Sequence, residues 1–85
     1  MKTKFKILNL INEFPGISFK ELSYFLSLSK GAISLYLKVL EEDGLIKKYL
    51  TNENKNTFRL HPTVKGKNLY LENKLKNLIK TKESS

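Results

Sequence analysis

Eighty-five residues, 40% hydrophobic and 28% charged, make one small domain, too short for two independent cores and too apolar to stay disordered. The absence of cysteine excludes disulfide scaffolds, thiolate zinc sites and thiol chemistry together. Sixteen basic residues, fifteen of them lysine, against eight acidic ones give a charge of +8, which favours a polyanionic partner, either nucleic acid or an anionic membrane surface.

Lys2 to Phe14 sets Ile7, Leu8, Leu10, Ile11 and Phe14 at helical spacings of three and four. Lys2, Lys4 and Lys6 imitate the basic start of an export signal, but Asn9, Asn12 and Glu13 break the apolar stretch that follows, so export is rejected. No run approaches the ~20 apolar residues of a membrane span, and the chain is expected to be soluble and cytoplasmic. Pro15-Gly16 stops the first helix, because proline lacks an amide proton and clashes with the preceding turn. Ser18-Phe19-Lys20-Glu21 is a capping box, with Ile17 and Leu22 placed as a hydrophobic staple. It starts a second helix near Phe19 that runs to about Leu26.

Ser27-Leu28-Ser29 is a short polar break, and Ser29 is the expected N-cap of a third helix. Along it Ile33, Tyr36, Leu37 and Leu40 share one stripe, while Gly31, Ser34, Leu35 and Lys38 lie opposite, with Lys30 at the edge. Gly44 ends this helix, as a left-handed C-terminal position prefers. Leu45 to Leu50 and Thr57 to Leu60 then read as the strands of a hairpin around the polar segment Thr51 to Asn56. Thr63, after Pro62, caps a last helix through about Lys80, in whose first turn Gly66 is a mild cost. Residues 83–85 are expected to be a frayed tail. The class is mainly α with a small β-hairpin, in the order helix, helix, tight turn, helix, hairpin, helix.

The two central helices are joined by three or four residues, as a helix-turn-helix requires. Ser29-Lys30-Gly31-Ala32-Ile33-Ser34, followed by Leu37, Leu40-Glu41 and Gly44-Leu45-Ile46, resembles the recognition helix of winged helix-turn-helix regulators of the MarR and ArsR types. Ile17-Ser18 and Glu21-Leu22 are similar to the start of the preceding helix in that group, and Leu60 with Thr63 to Gly66 is similar to its wing exit. The resemblance covers about residues 5 to 70 and implies a winged helix-turn-helix that binds DNA to regulate transcription. Where most relatives carry an arginine near the wing tip, Lys55 is nearest here and Arg59 lies further along the strand. Metal-sensing members use cysteine ligands, so the cysteine-free sequence does not support metal sensing.

Charge and side-chain size point the same way without the resemblance. A recognition helix enters the major groove by its N-terminal part, where unpaired amides also favour phosphate. Ser29, Gly31 and Ser34 are short enough for close approach, Lys30 and Lys38 can reach guanine acceptors or phosphates, and Leu35 either meets a thymine methyl or packs on a neighbour. Residues 29–44 carry a net −1 (Lys30 and Lys38 against Glu41, Glu42 and Asp43), whereas residues 45–61 carry +3 (Lys47, Lys48, Lys55 and Arg59 against Glu53). Residues 62–85 carry +4, six lysines against Glu72 and Glu83. Helix three is thus the base reader, and Lys47, Lys48, Lys55 and Arg59 are the phosphate contacts. Tyr36 belongs to the core more than to the groove. His61 is a lone histidine without the further ligands a metal needs. Ser18, Ser29 and Thr63 have no histidine or acid partner and act as caps, so no enzyme and no cofactor is expected.

In the last helix Val64, Leu71, Leu75 and Leu78 form a stripe with Ile79 at its margin, while Leu69 and Tyr70 point elsewhere. Apolar residues on several sides of one helix imply a second partner, here a homodimer, unless the stripe packs on the first helix. The expected division is therefore residues 1–62 for DNA binding and 63–82 for dimerisation. The function expected is a sequence-specific regulator on double-stranded DNA, dimeric on a palindromic operator and nucleoid-associated. The alternatives are a winged-helix module that docks on another protein and a DNA-organising protein without sequence preference.

Overall fold

The computed structural model of the protein describes residues 2–50 and 58–84, with side chains for 3–50 and 58–78. The elements in chain order are α1 (Lys2–Glu13), β1 (Ile17–Ser18), α2 (Phe19–Leu26), α3 (Lys30–Glu42), β2 (Ile46–Leu50), β3 (Phe58–Pro62) and α4 (Val64–Ser84). The sequence order of helices and hairpin is as expected, and the second and third helices begin at the expected residues. Thr51 to Thr57, including Lys55, lie outside the described residues.

Helices α1, α2 and α3 are amphipathic, and each turns an apolar stripe inward. Ile7, Leu8 and Ile11 of α1, Leu22 of α2, and Ile33, Leu37 and Leu40 of α3 are buried together with Ile17, Leu45, Ile46 and Leu60. Tyr36 is half-buried and packs against this cluster, as does Leu69. Phe14 does not join it. It lies one residue past α1, is 57% exposed and stacks on Phe25 of α2, with ring centroids 6.5 Å apart. The Pro15-Gly16 turn ends α1 before Phe14 can be directed inward; Gly16 takes φ +91°, a conformation that suits glycine.

The capping box at α2 is complete. The Ser18 hydroxyl accepts from the Glu21 amide at 3.1 Å, and the Ser18 amide donates to Glu21 Oε1 at 3.0 Å. Hydrogen bonding of the Glu21 carboxylate to the Ser18 amide, foremost, and to the Ser18 hydroxyl holds the carboxyl below its ordinary value, with Arg59 adding to the effect. A depressed carboxyl pKa contributes stability above the unfolded value, and that contribution is lost as pH falls through the folded one. Ser18→Ala is expected to cost about 1 kcal/mol near neutral pH, measured by urea denaturation; an unchanged midpoint would remove the cap from the account.

Ser18 has a second role that was not expected. Ile17 and Ser18 form a short strand paired antiparallel with β3, Ile17 opposite Leu60 and Ser18 opposite Arg59. The sheet is therefore three-stranded, in the order β1-β3-β2. In the hairpin Ile46 faces Pro62, Lys48 faces Leu60 and Leu50 faces Phe58, so β3 runs two residues past its expected end at Leu60. Proline is tolerated there for a geometric reason. Leu60 accepts from the Gly16 amide, so its backbone points toward β1. Pro62, two residues on, points the same way but beyond the end of β1, where a missing amide breaks no ladder bond.

The C-terminus of α3 is tied to the start of α4. The Gly44 amide donates to Glu41 O and the Leu45 amide to Leu40 O, a Schellman ending with Gly44 at φ +72°. The Thr63 hydroxyl donates to Gly44 O at 2.6 Å and accepts from the Gly66 amide at 3.0 Å, while the Thr63 amide donates to Leu45 O at 3.1 Å. Lys65 Nζ donates to Asp43 O, and Lys4 of α1 pairs with the Asp43 carboxylate at 2.9 Å. Gly66 is buried against Leu45, where a β-carbon would overlap the Leu45 carbonyl. It is thus a packing requirement and not the mild helix cost its position implied. From there α4 continues to Ser84 rather than stopping near Lys80, since nothing in Thr81 to Ser84 breaks a helix. No helix among the described residues is long and apolar enough to cross a membrane.

Candidate nucleic-acid interface

The exposed side of α3 is made by the same periodicity that buries Ile33, Leu37 and Leu40. Ser29, Lys30, Gly31, Ser34, Leu35 and Lys38 are all exposed, and Leu35 is 64% accessible. Leu35 therefore lies mostly open to solvent. Ser29 Oγ accepts from the Ala32 amide at 3.2 Å, so Ser29 acts as the N-cap of α3. A β-carbon at Gly31 would point into open space, with no other part of the fold within 4 Å. Glycine is a poorer helix former than alanine, and no contact among the described residues requires it at position 31.

The wing residues divide between two faces of the sheet. Alternation along β2 puts Lys48 on the side of the buried Ile46, toward α3, and Lys47 on the opposite side with Tyr49. Lys47 stands across from His61 and Tyr49 across from Arg59. Tyr49 and His61 meet edge to face at 5.1 Å. Arg59 is not wholly free for a ligand, because one guanidinium nitrogen donates to Gly16 O at 3.0 Å. Lys47, Lys48 and Arg59 are thus three exposed cations that do not share one surface.

Between α3 and the wing lies a groove of about 330 Å³ lined by Ser34, Lys38, Glu41, Lys48, Phe19 and Phe58, with Leu37 at its base. Lys48 Nζ sits 3.5 Å from Glu41 Oε1 and 5.2 Å from the Phe58 ring centroid. In the sequence Glu41 stands among the acids at the helix end and in the Leu40-Glu41 pair of the resemblance; its pairing with Lys48 depends on a strand that folds back beside α3. Among the described residues no three histidine, aspartate or glutamate side chains gather as a metal would require.

On α4, Val64, Leu71, Leu75 and Leu78 are exposed, while Leu69 packs into the core and Tyr70 accepts a hydrogen bond from Lys74 at 3.0 Å. Although α1 and α4 pack on each other, the stripe is not what α1 covers. The side chain of Ile79 lies outside those described.

Residues 2–47 match the model of the winged helix-turn-helix DNA-binding family. Comparison with curated proteins gives no match. Among solved structures, a MarR-family transcriptional regulator from Listeria monocytogenes complexed with a 26mer DNA is 35% identical, with a TM-score of 0.78 over 92% of this chain and 55% of that one. A MarR protein from Peptoclostridium difficile is 29% identical, with a TM-score of 0.85 over 98% of this chain and 54% of that one. Streptococcus pneumoniae FabT in complex with DNA, at 20% identity and a TM-score of 0.87 over 95% of this chain and 57% of that one, shares the fold. The chain spans a little over half the length of these structures. With over half of its residues matched by the family model and its helices, turn and wing in the corresponding order, the chain belongs to the winged helix-turn-helix DNA-binding family.

Proposed function

We propose that the protein is a sequence-specific regulator of transcription that binds double-stranded DNA as a homodimer on a palindromic operator. The observation that carries this reading is the exposed N-terminal half of α3. It is built from short polar or basic side chains, and Gly31 there answers to no packing need among the described residues. Such a surface suits close approach to a duplex, with Ser29, Lys30, Gly31, Ser34, Leu35 and Lys38 reading base edges. Lys47, Lys48, Lys55 and Arg59 supply phosphate contacts, which set register and carry no sequence information. The similar MarR-family regulator solved on a 26mer DNA supports the duplex as partner. It is a binding module and not an enzyme. Residues 1–62 form the DNA-binding unit and residues 63–82 the dimerisation helix, and on this reading the protein works at the nucleoid in the cytoplasm.

Exposure of Val64, Leu71, Leu75 and Leu78 along one side of α4 supports pairing through that helix. Two-fold pairing sets two recognition helices about 34 Å apart, one duplex turn. The test is a gel-shift titration at two salt concentrations, on a duplex selected from a random library and on random duplex. Affinity should fall with salt at a log–log slope of about −0.9 per neutralised phosphate. Ser34→Ala with Lys38→Ala should weaken the selected duplex by about 1–3 kcal/mol per lost base contact and leave random duplex nearly unchanged. Equal losses on both would make this a DNA-organising protein without sequence preference. Salt-insensitive absence of binding would make it a protein-docking module.

A further inference from the structure

The groove between α3 and the wing is lined by two lysines and a serine hydroxyl, groups suited to a phosphate, yet it also holds one carboxylate. Glu41 lies in the last turn of α3, which has no basic residue. The negative end of the helix dipole disfavours a carboxylate there, so helix stability does not account for it. Its close partner is Lys48, at 3.5 Å, on the strand that follows. Lys38 and Lys48 are the other charged side chains lining the groove, and Phe19, Leu37 and Phe58 are its apolar ones.

Resting on the DNA-binding reading, we infer that Glu41 is an internal counter-ion that occupies Lys48 and limits the affinity of the wing for the DNA backbone. A phosphate that approaches Lys48 must displace Glu41 and lie near its negative charge. That penalty depends on backbone charge alone, so it falls equally on every sequence. Glu41 is not needed to hold Lys48 in position. The backbone of Lys48 is paired opposite Leu60, and its ammonium lies over the Phe58 ring at 5.2 Å. Both members of the pair are about two-fifths exposed, at 39% and 41%, and an ion pair this open to water is weak enough for a competing anion to break. Glu41 thus sets how many phosphates the protein neutralises, while the N-terminal half of α3 sets which bases it prefers.

The experiment titrates wild type, Glu41→Gln, Lys48→Gln and the double variant against two duplexes, one random in sequence and one selected from a random library, over a range of salt. Glutamine keeps the size of glutamate and removes the unfavourable charge at the helix end, so the variant should fold at least as well, as circular dichroism will verify. Glu41→Gln should tighten both duplexes by about eight-fold at 0.1 M salt and steepen the log–log slope by about 0.9, the value of one added phosphate contact. The ratio between the two duplexes should stay the same, and the gain should vanish when Lys48→Gln is also present. Unchanged or weaker binding by Glu41→Gln overturns the inference, as does a gain that survives in the double variant. Wild-type protein that binds neither duplex overturns the DNA-binding reading and this inference with it, whereas wild-type binding without the gain overturns this inference alone.

Discussion

Gly66→Ala should destabilise the protein by about 3 kcal/mol or more, at the upper end of what overpacking a close-packed site costs. Glycine to alanine in an exposed helix is normally stabilising, by about 1 kcal/mol, so the expected sign is opposite to that of helix propensity. The atom met by the new methyl belongs to the Leu45 backbone and not to a flexible side chain. That backbone is already fixed, because Leu45 O accepts from the Thr63 amide and the neighbouring Gly44 O accepts from the Thr63 hydroxyl. Relief therefore requires moving α4 away from the end of α3, with loss of those bonds. A melting temperature lower by on the order of 15 °C, given ~4–8 °C per kcal/mol in a domain of this size, is the measurement. A variant as stable as the wild type would show that α4 can shift freely against α3.

Leu71→Glu with Leu75→Glu should convert a dimer into a folded monomer. Leu71 is 46% exposed and Leu75 is 59% exposed in the single chain, so charge at these two positions does not disturb the core. In a dimer the same positions would lie in a desolvated seam, where four unpaired carboxylates across the two chains are strongly unfavourable. Sedimentation gives the readout. The variant should also lose most of its affinity for a palindromic duplex while retaining weak binding to a half-site, since linked binding of two modules gains by a factor of about 10² or more. Wild-type protein that is monomeric at tens of micromolar, or a double variant that remains dimeric, would sink the dimer.

Features written in neighbouring residues were legible from the sequence, and features that depend on distant chain segments were not. Ser18 with Glu21, and Ser29 before Lys30, announce helix starts because a cap acts within three residues, and both caps form as expected. The strand at Ile17–Ser18 was illegible. Two residues carry no periodicity, and their partner, Leu60–Arg59, lies more than forty positions away. Gly66 was read by its helix propensity, a local property, whereas its buried contact with Leu45 exists only once α4 packs back on the α3 terminus. At the interface, the exposed face of α3 followed from spacing alone. The separation of Lys47 from Lys48 follows from strand alternation, but a simple sum of charge over the wing conceals it. The Arg59 bond to Gly16 and the Glu41 contact with Lys48 arise from the way the sheet and helices close on one another.

The bonds that tie Asp43, Gly44 and Leu45 to Thr63 and Lys65 leave no swivel between α3, the proposed reading helix, and the long helix α4 behind it. From Gly66 to Leu78 the latter extends about 18 Å at 1.5 Å per residue, a stiff arm joined to the reading head without a joint. In the proposed dimer the separation of the two heads is therefore a fixed span. Where an operator's half-sites depart from that span, the compliance has to come from the duplex, through bending or twisting of base pairs that the protein never touches. Sequences that deform readily between the half-sites would then bind better than stiff ones, and the operator would be recognised partly by its mechanics.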